Sequence, residues 1–125
     1  MKYCKEKQLE EAAAIALRSL GRTHSIFKQY VDSLRYHEES LRIQRKLGNK
    51  TEVAEGLLFL AEDLEVSGNY EHCLKAFEDA TEIWTELGKL RKAKEIQKEV
   101  DRLRSFSEKM VEEEAIMRKF HVDNF

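Results

Sequence analysis

The sequence of 125 residues contains no proline and only five glycines. Proline removes a backbone donor and breaks the interior of a helix, so its absence favours long, uninterrupted helices. Long hydrophobic runs are also missing, since nowhere do roughly 18 apolar residues follow one another as a membrane-spanning helix requires. We therefore predict an all-α chain that does not insert into a membrane.

The sequence also lacks an excess of either charge, because 22 basic and 24 acidic residues leave a formal net charge of −2. Proteins that bind nucleic acid usually carry a basic excess, since neutralising phosphates supplies much of their affinity. Nucleic acid is therefore not the expected partner. Charged residues make up 37% and hydrophobic residues 42%, which is too apolar for a disordered chain. A helical domain with charged outer faces fits this composition.

The two cysteines, Cys4 and Cys73, have a spacing that fits neither a zinc site nor a redox motif. A disulfide between them is one alternative, but free thiols in a reducing compartment are the simpler interpretation. Charged side chains such as Lys5 and Glu6 interrupt the amino-terminal segment, so we expect no signal peptide. The expected location is cytoplasmic, with the nucleus as an alternative.

Residues of the types used in catalysis do not form any of the sequence patterns that a catalytic or metal site requires. His37 is followed by Glu38 and Glu39, but the second histidine of a zinc peptidase motif is missing. The glycines are isolated, so no phosphate-binding loop is present. Cys73 beside His72 is either a reactive thiol or a small buried residue at a helix crossing, and we favour the buried residue. We predict no enzymatic activity, no metal site and no cofactor.

A repeat with a period of forty residues organises the chain. Residues 47–50 have a counterpart in residues 87–90, forty positions later. The same offset pairs many other residues, namely Leu17 with Leu57, Leu20 with Leu60, Tyr30 with Tyr70, Leu34 with Leu74, Glu38 with Glu78 and Ile43 with Ile83. Internal repeats of this length are typical of stacked helical units.

Each repeat reads as two helices joined by a short turn. In the second unit, a helical stripe runs from Ala54 to Leu64 and is interrupted at residues 67–69. A second stripe runs from Tyr70 to Leu87 and stops at a glycine. We predict repeat 1 at about residues 11–50 and repeat 2 at about residues 51–88. Neither helix can bury its stripe alone, so the units must stack.

This pattern resembles the tetratricopeptide repeat (TPR) family, in the long-period type found in spindle-orientation adaptors, rapsyn and kinesin light chains. The residues that carry the resemblance in the second unit are Leu57, Leu60, Ala61, Leu64, Gly68, Tyr70, Cys73, Phe77 and Ala80. The resemblance implies a superhelix of helical hairpins, with small residues where the helices cross. In the first unit Ser33 and Ser40 hold those crossing positions.

The first unit departs from the family pattern in two ways. His24 and His37 stand where the family prefers large apolar side chains. Lys28 stands where the second unit has Gly68, so a left-handed turn at Lys28 would cost about 1 kcal/mol. The first unit is therefore expected to be a degenerate copy of the repeat.

The chain is expected to form a single domain over residues 1–125, with a long carboxyl-terminal helix at about residues 89–119. The first half of that helix would cap the array, and the second half is either a partner-binding helix or a solvated extension. Glu113 and Glu114 break a strict coiled-coil seam, which argues against dimerisation there. Tyr3 and Cys4 lie two periods before Ile83 and Trp84, so they fit the tail of a preceding unit.

In tetratricopeptide arrays the first helix of each hairpin lines a concave groove that holds a peptide or helix of another protein. The resemblance therefore implies groove residues on the leading helices, namely Ile15, Arg18, Arg22, Ser25, Glu55, Leu58, Phe59, Glu62, Glu65, Val66, Lys98 and Arg102. Arg18 and Arg22 lie one helical turn apart, a spacing that suits one acidic segment of a ligand. The alternative is that both arginines pair with acids of this chain.

The expected function is that of an adaptor or scaffold module, as a segment of a longer array, with a protein or peptide as partner. The alternative is a structural element that forms a homodimer through the carboxyl-terminal helix.

Overall fold

A computed structural model describes the backbone of residues 2–123 and the side chains of residues 5–120. The described backbone forms five helices and contains no strand. The helices are α1 (Lys2–Ile26), α2 (Tyr30–Leu47), α3 (Lys50–Val66), α4 (Tyr70–Glu86) and α5 (Leu90–Asp123). Short turns join them, so successive helices run antiparallel. The predicted all-α fold of helical hairpins followed by a long helix is confirmed.

The ends of the chain differ from the prediction. The first repeat was expected to begin near residue 11, but α1 begins at Lys2 and continues without interruption to Ile26. The idea that Tyr3 and Cys4 end a separate preceding helix is therefore wrong. Gln8 stands two periods before Gly88, and the backbone at Gln8 stays helical. At the other end, α5 continues past the expected limit of residue 119 to Asp123.

The turns between helices all use one residue in the left-handed region. Glycine serves in three of them, with φ of 72° at Gly48, 81° at Gly68 and 75° at Gly88. In the first turn Lys28 has a φ of 61°. The amides of Lys28 and Gln29 close this turn by donating to carbonyls in the last turn of α1. The first hairpin thus keeps the turn geometry of the second despite the unfavourable residue.

Replacing Lys28 by glycine should raise the free energy of unfolding by about 1 kcal/mol, because glycine adopts a positive φ without steric strain. Urea denaturation followed by circular dichroism measures the change. Lys94→Gly, at an exposed site inside α5, is the control and should lower stability by about 1 kcal/mol. A loss of stability in Lys28→Gly would contradict the strained turn.

The core is apolar in one half of the molecule and largely polar in the other. Helices α3, α4 and α5 contribute most of the buried apolar side chains, which include Leu57, Leu60, Leu64, Phe77, Trp84, Ile96, Val100 and Leu103. The first hairpin instead buries polar side chains, namely Ser25, Ser33, His37, Ser40 and Gln44. Since buried polar groups need partners, the contacts of these side chains decide how α1 and α2 are held.

Candidate protein-binding face

Helices α1, α3 and α5 lie side by side, and ion pairs join α1 to α3. Arg18 Nη1 lies 3.2 Å from Glu52 Oε2. Arg22 Nη1 lies 2.9 Å from Glu62 Oε2 and 3.3 Å from Asp63 Oδ1. The residues of these pairs are separated by about one repeat in the sequence, so each contact joins neighbouring leading helices. This arrangement brings Arg18, Arg22 and Glu62 together as expected, but it pairs both arginines within the chain.

A second set of ion pairs joins α3 to α5. Lys92 Nζ lies 3.3 Å from Glu55 Oε1, and Arg102 Nη2 lies 2.8 Å from Glu65 Oε1. Arg102 also donates to Glu99 within its own helix. Hydrogen bonds to Glu65 and Glu99 raise the pKa of Arg102, so this guanidinium stays charged. The three leading helices therefore present rows of alternating sign: cations on α1, acids on α3 and cations on α5.

Phe59 and Leu58 do not form an open apolar pocket. The ring of Phe59 contacts two guanidinium groups, with the Cζ atoms of Arg18 and Arg22 each 4.9 Å from its centroid. Such cation–π contacts contribute about 0.5–1 kcal/mol each at partly exposed sites. Leu58 is half-buried and packs against the apolar core. Both side chains thus serve the contact between helices and are only partly exposed.

The predicted groove residues differ in how much of each side chain remains accessible. The side chains of Glu62 and Arg102 are 56% and 51% exposed. Arg18 is mostly covered, at 20%. Ser25 was expected on this face as a ligand contact, but it is buried, so that assignment is wrong. A helix turns by about 100° per residue, so Ser25 lies only about 20° around α1 from Ala14, whose carbonyl accepts a hydrogen bond from Ser40 of α2, and about 60° from Arg22.

A buried polar cluster behind this face joins the first three helices. His37 Nε2 on α2 donates to Asp63 Oδ2 on α3 over 2.6 Å, and Arg22 of α1 donates to the other carboxylate oxygen. His37 is 1% exposed and Asp63 is 12% exposed. The carboxylate thus accepts hydrogen bonds from two helices at once. We call these three residues the Arg22–Asp63–His37 cluster.

Sequence reasoning missed this cluster, although the period of forty carries a signal for it. His37 corresponds to Phe77, and Asp63 corresponds to Leu103. Both residues of the second pair are buried in the apolar core. Two polar residues have therefore replaced two apolar ones at matching positions of neighbouring helices, which is the pattern of a buried polar contact.

Helices α1 and α2 approach closely at small residues. Ser33 Oγ donates to the carbonyl of Gly21 over 2.7 Å, and Ser40 Oγ donates to the carbonyl of Ala14 over 2.6 Å. These contacts satisfy both buried hydroxyls and fix the rotation of α2 against α1. The expected crossing positions Ser33 and Ser40 are confirmed, and serine here adds a hydrogen bond that alanine at such positions lacks.

The Cys73 thiol lies fully buried in α4. Burial raises its pKa to about 11, and the negative charge of Glu65 adds to this effect. Since the thiolate is the nucleophile, both effects make Cys73 unreactive. The interpretation as a small buried residue is confirmed.

In a Cys4→Ser chain, Cys73 should react with a disulfide reagent at pH 8 about 100-fold more slowly than a free thiol, because a pKa near 11 lowers the thiolate fraction. Burial should slow it further. The absorbance of the chromophore that the reagent releases measures the rate. The same chain unfolded in guanidinium chloride is the reference. Equal rates in the folded and unfolded chain would show that the thiol is accessible.

The described residues contain no group of three or more histidine, cysteine or acidic side chains placed to hold a metal ion. Among the helices of residues 2–123, none combines the length and the apolar character needed to cross a bilayer.

Comparison with family models and with curated proteins adds no relative to this picture. No model of a protein family matches the chain. No curated protein is similar enough to it to count as a relative.

Proposed function

We propose that this chain is a protein-interaction module of the tetratricopeptide type, an adaptor or scaffold segment from a longer array. Its binding face is the shared surface of α1, α3 and α5, and its ligand is a peptide or helix of a partner protein. The observation that supports this most is the side-by-side placement of three leading helices with exposed charged side chains between them.

The charge pattern of the face favours a ligand whose charges are complementary to it. A segment lying across the helices would place acidic side chains near the cations of α1 and α5, and basic side chains near the acids of α3. Each ion pair of the free face contributes only about 0–1 kcal/mol, because it is partly exposed. A ligand can therefore replace one partner of a pair at little cost, and complementary charges fix its direction.

The proposal is tested by partner capture with charge-reversed variants. The groove variant Glu62→Lys with Arg102→Glu changes two exposed residues, and Arg22 keeps Asp63 as its partner. The matched control is Glu82→Lys with Lys75→Glu, on the exposed side of α4. Both variants keep the net charge. A partner retained by the wild-type chain and the control, but lost by the groove variant, supports the face. Equal retention by both variants excludes it.

A second candidate function is self-association through the extension of α5. Phe106 packs edge-on against Tyr70 at the start of α4, with ring centroids 5.5 Å apart. Beyond this contact residues 107–120 are all exposed. Several of these side chains are large and apolar, namely Met110, Val111, Ile116, Met117 and Phe120. An exposed apolar stretch of this kind on a surface helix favours a partner for it.

Light scattering on the full chain and on a chain ending at Ser107 separates the two functions. The acidic run at residues 112–114 would face its own copy in a symmetric pair, and like charges oppose that pairing. We therefore expect both chains to be monomers over a wide concentration range. A full-length dimer that becomes a monomer on truncation would instead establish self-association.

A further inference from the structure

An open cavity of about 550 Å³ lies between α1, the turn from α2 to α3 and the first residues of α3. Ile15 of α1 and Leu87, which directly follows α4, give it apolar walls. Glu11 and Gln44 are among its polar side chains. Glu52, which joins α3 to α1 through Arg18, also lines the cavity, so the cavity adjoins the shared face of the leading helices.

The repeat of forty residues explains why there is space at this point. Gln44 stands forty residues before Trp84, whose large side chain is buried. In the second unit Lys92 Nζ lies 4.9 Å from the centroid of the Trp84 ring and pairs with Glu55. The matching residues of the first unit are Gln44, Glu52 and Ile15. The first unit therefore has a short amide side chain and an open cavity where the second unit has a covered aromatic ring.

The amide of Gln44 is held in one orientation. Gln44 is 2% exposed, and its Oε1 accepts from Asn49 Nδ2 over 3.0 Å. The same nitrogen of Asn49 donates to Glu11 Oε1 over 3.2 Å. An ionised carboxylate only accepts hydrogen bonds, so Asn49 must present its NH₂ group to both neighbours. Nε2 of Gln44 is therefore turned away from Asn49.

This nitrogen of Gln44 is a hydrogen-bond donor without a partner among the described residues. It is not sealed inside the core, because the one sealed side-chain atom that lacks a partner in the described part of the chain is Trp84 Nε1. Nε2 is therefore reached from the cavity that Gln44 lines. Since a nearly buried donor without an acceptor is unfavourable, this atom favours a ligand group that accepts a hydrogen bond.

We infer that the cavity receives a tyrosine side chain of the ligand that binds the shared face, in the place that Trp84 fills in the second unit. The ring packs against Ile15 and Leu87. The phenol oxygen accepts from Gln44 Nε2, and its hydroxyl hydrogen is donated to the carboxylate of Glu11. Tyrosine combines a large contact area with one polar group, as is common at the centre of interfaces. This inference rests on the proposed function, because it names one side chain of the same ligand.

The chemistry of the cavity disfavours other side chains. Phenylalanine fills the space but leaves Gln44 Nε2 unpaired. Lysine and arginine are attracted by Glu11 and Glu52, but they bring only donors to a site where the most buried polar group offers a donor. Phosphotyrosine and acidic side chains meet the like charges of the same two glutamates. The site therefore selects an uncharged planar ring that carries both a donor and an acceptor.

The test titrates the full chain, labelled with ¹⁵N, with N-acetyltyrosinamide and follows the side-chain NH₂ signals of Gln44 and the backbone amide of Thr51. Both should shift saturably. N-acetylphenylalaninamide should bind at least about tenfold more weakly, because it leaves a buried donor unpaired. The matched control Glu82→Lys with Lys75→Glu should bind both probes as the wild-type chain does.

Two variants of Gln44 separate the space from the donor. Gln44→Trp should abolish the shift at Thr51, because the indole fills the cavity as Trp84 does in the second unit. Gln44→Met keeps the size of the side chain and removes the donor, so the two probes should bind it equally. Circular dichroism confirms that the variants are folded.

Three results would overturn the inference. They are the absence of a saturable shift up to about 10 mM probe, where a ligand of this size that fits its site is bound, equal binding of the two probes to the wild-type chain, and unchanged binding by Gln44→Trp. No partner protein takes part in this experiment, so its failure removes the tyrosine site and leaves the shared face to the capture experiment. Equal retention of a partner by the groove variant and its control would exclude the shared face without altering the result with the probes.

Discussion

Replacing Asp63 by alanine is expected to lower the free energy of unfolding by about 3 kcal/mol. The carboxylate accepts hydrogen bonds from His37 of α2 and Arg22 of α1, so its loss removes a contact among three helices. His37 would stay buried with its Nε2 donor unpaired, and an unsatisfied buried group costs more than the hydrogen bond alone contributes. The loss should lower the melting temperature by about 10 °C for a chain of this size.

Glu62→Ala is the matched control for Asp63→Ala. Glu62 is the next residue and pairs with the same arginine, but its side chain is 56% exposed. A solvent-exposed pair contributes little, so this variant should lose less than about 1 kcal/mol. Chemical denaturation of both variants gives the comparison, provided that the free energy of unfolding falls with the same slope against denaturant concentration in each. Similar losses at the two positions would show that Asp63 is not a buried link between helices.

Replacing Gly21 by alanine is expected to lower the free energy of unfolding by about 2 kcal/mol, although alanine is the better helix former. A Cβ atom at Gly21 would lie 2.8 Å from Cδ2 and 2.9 Å from Nε2 of His37. The ring is fully buried and bonded to Asp63, so it cannot move without breaking that bond. The steric cost and the damaged hydrogen bond together exceed the gain of about 1 kcal/mol in helix propensity.

Gly56→Ala makes the same substitution at a site where the neighbouring side chain can move away. There the new Cβ atom would lie 2.9 Å from Cδ2 of Leu41, which is the far end of a flexible side chain. A small rotation of Leu41 removes the overlap, so the net change should stay within about 1 kcal/mol. Thermal unfolding of the two variants measures the difference. A Gly21→Ala chain as stable as Gly56→Ala would contradict the tight packing of His37.

The period of forty residues carried most of the fold prediction. It placed both hairpins, the glycine turns and the strained position at Lys28, because turn residues and apolar spacing are local properties. The limits of α1 and α5 were missed at their outer ends. A sequence without proline can stay helical beyond the last turn that packs on another helix. No local feature of the sequence marks where that packing ends.

The partners of the charged groove residues could not be derived from sequence. Several acidic residues could pair with Arg22 as far as the sequence shows. Its pairing with Asp63 depends on how α1 is rotated against α3. That rotation depends on α2, which contacts α1 through Ser33 and Ser40 and α3 through His37. The two serines were expected at a helix crossing, but the bond from His37 to Asp63 was not.

The central claim is that α1, α3 and α5 are successive copies of one helix along a common direction. Spin labels at Ile26, Val66 and Phe106 test it, since these exposed positions are separated by forty residues each. Pulsed electron paramagnetic resonance measures the distance between two spin labels in Cys4→Ser chains that carry labels at two of these positions. The distance between labels at 26 and 66 should match that between 66 and 106, and the distance between 26 and 106 should be clearly longer. A 26–106 distance no longer than either single step would contradict the stacked arrangement, and with it the proposed binding face.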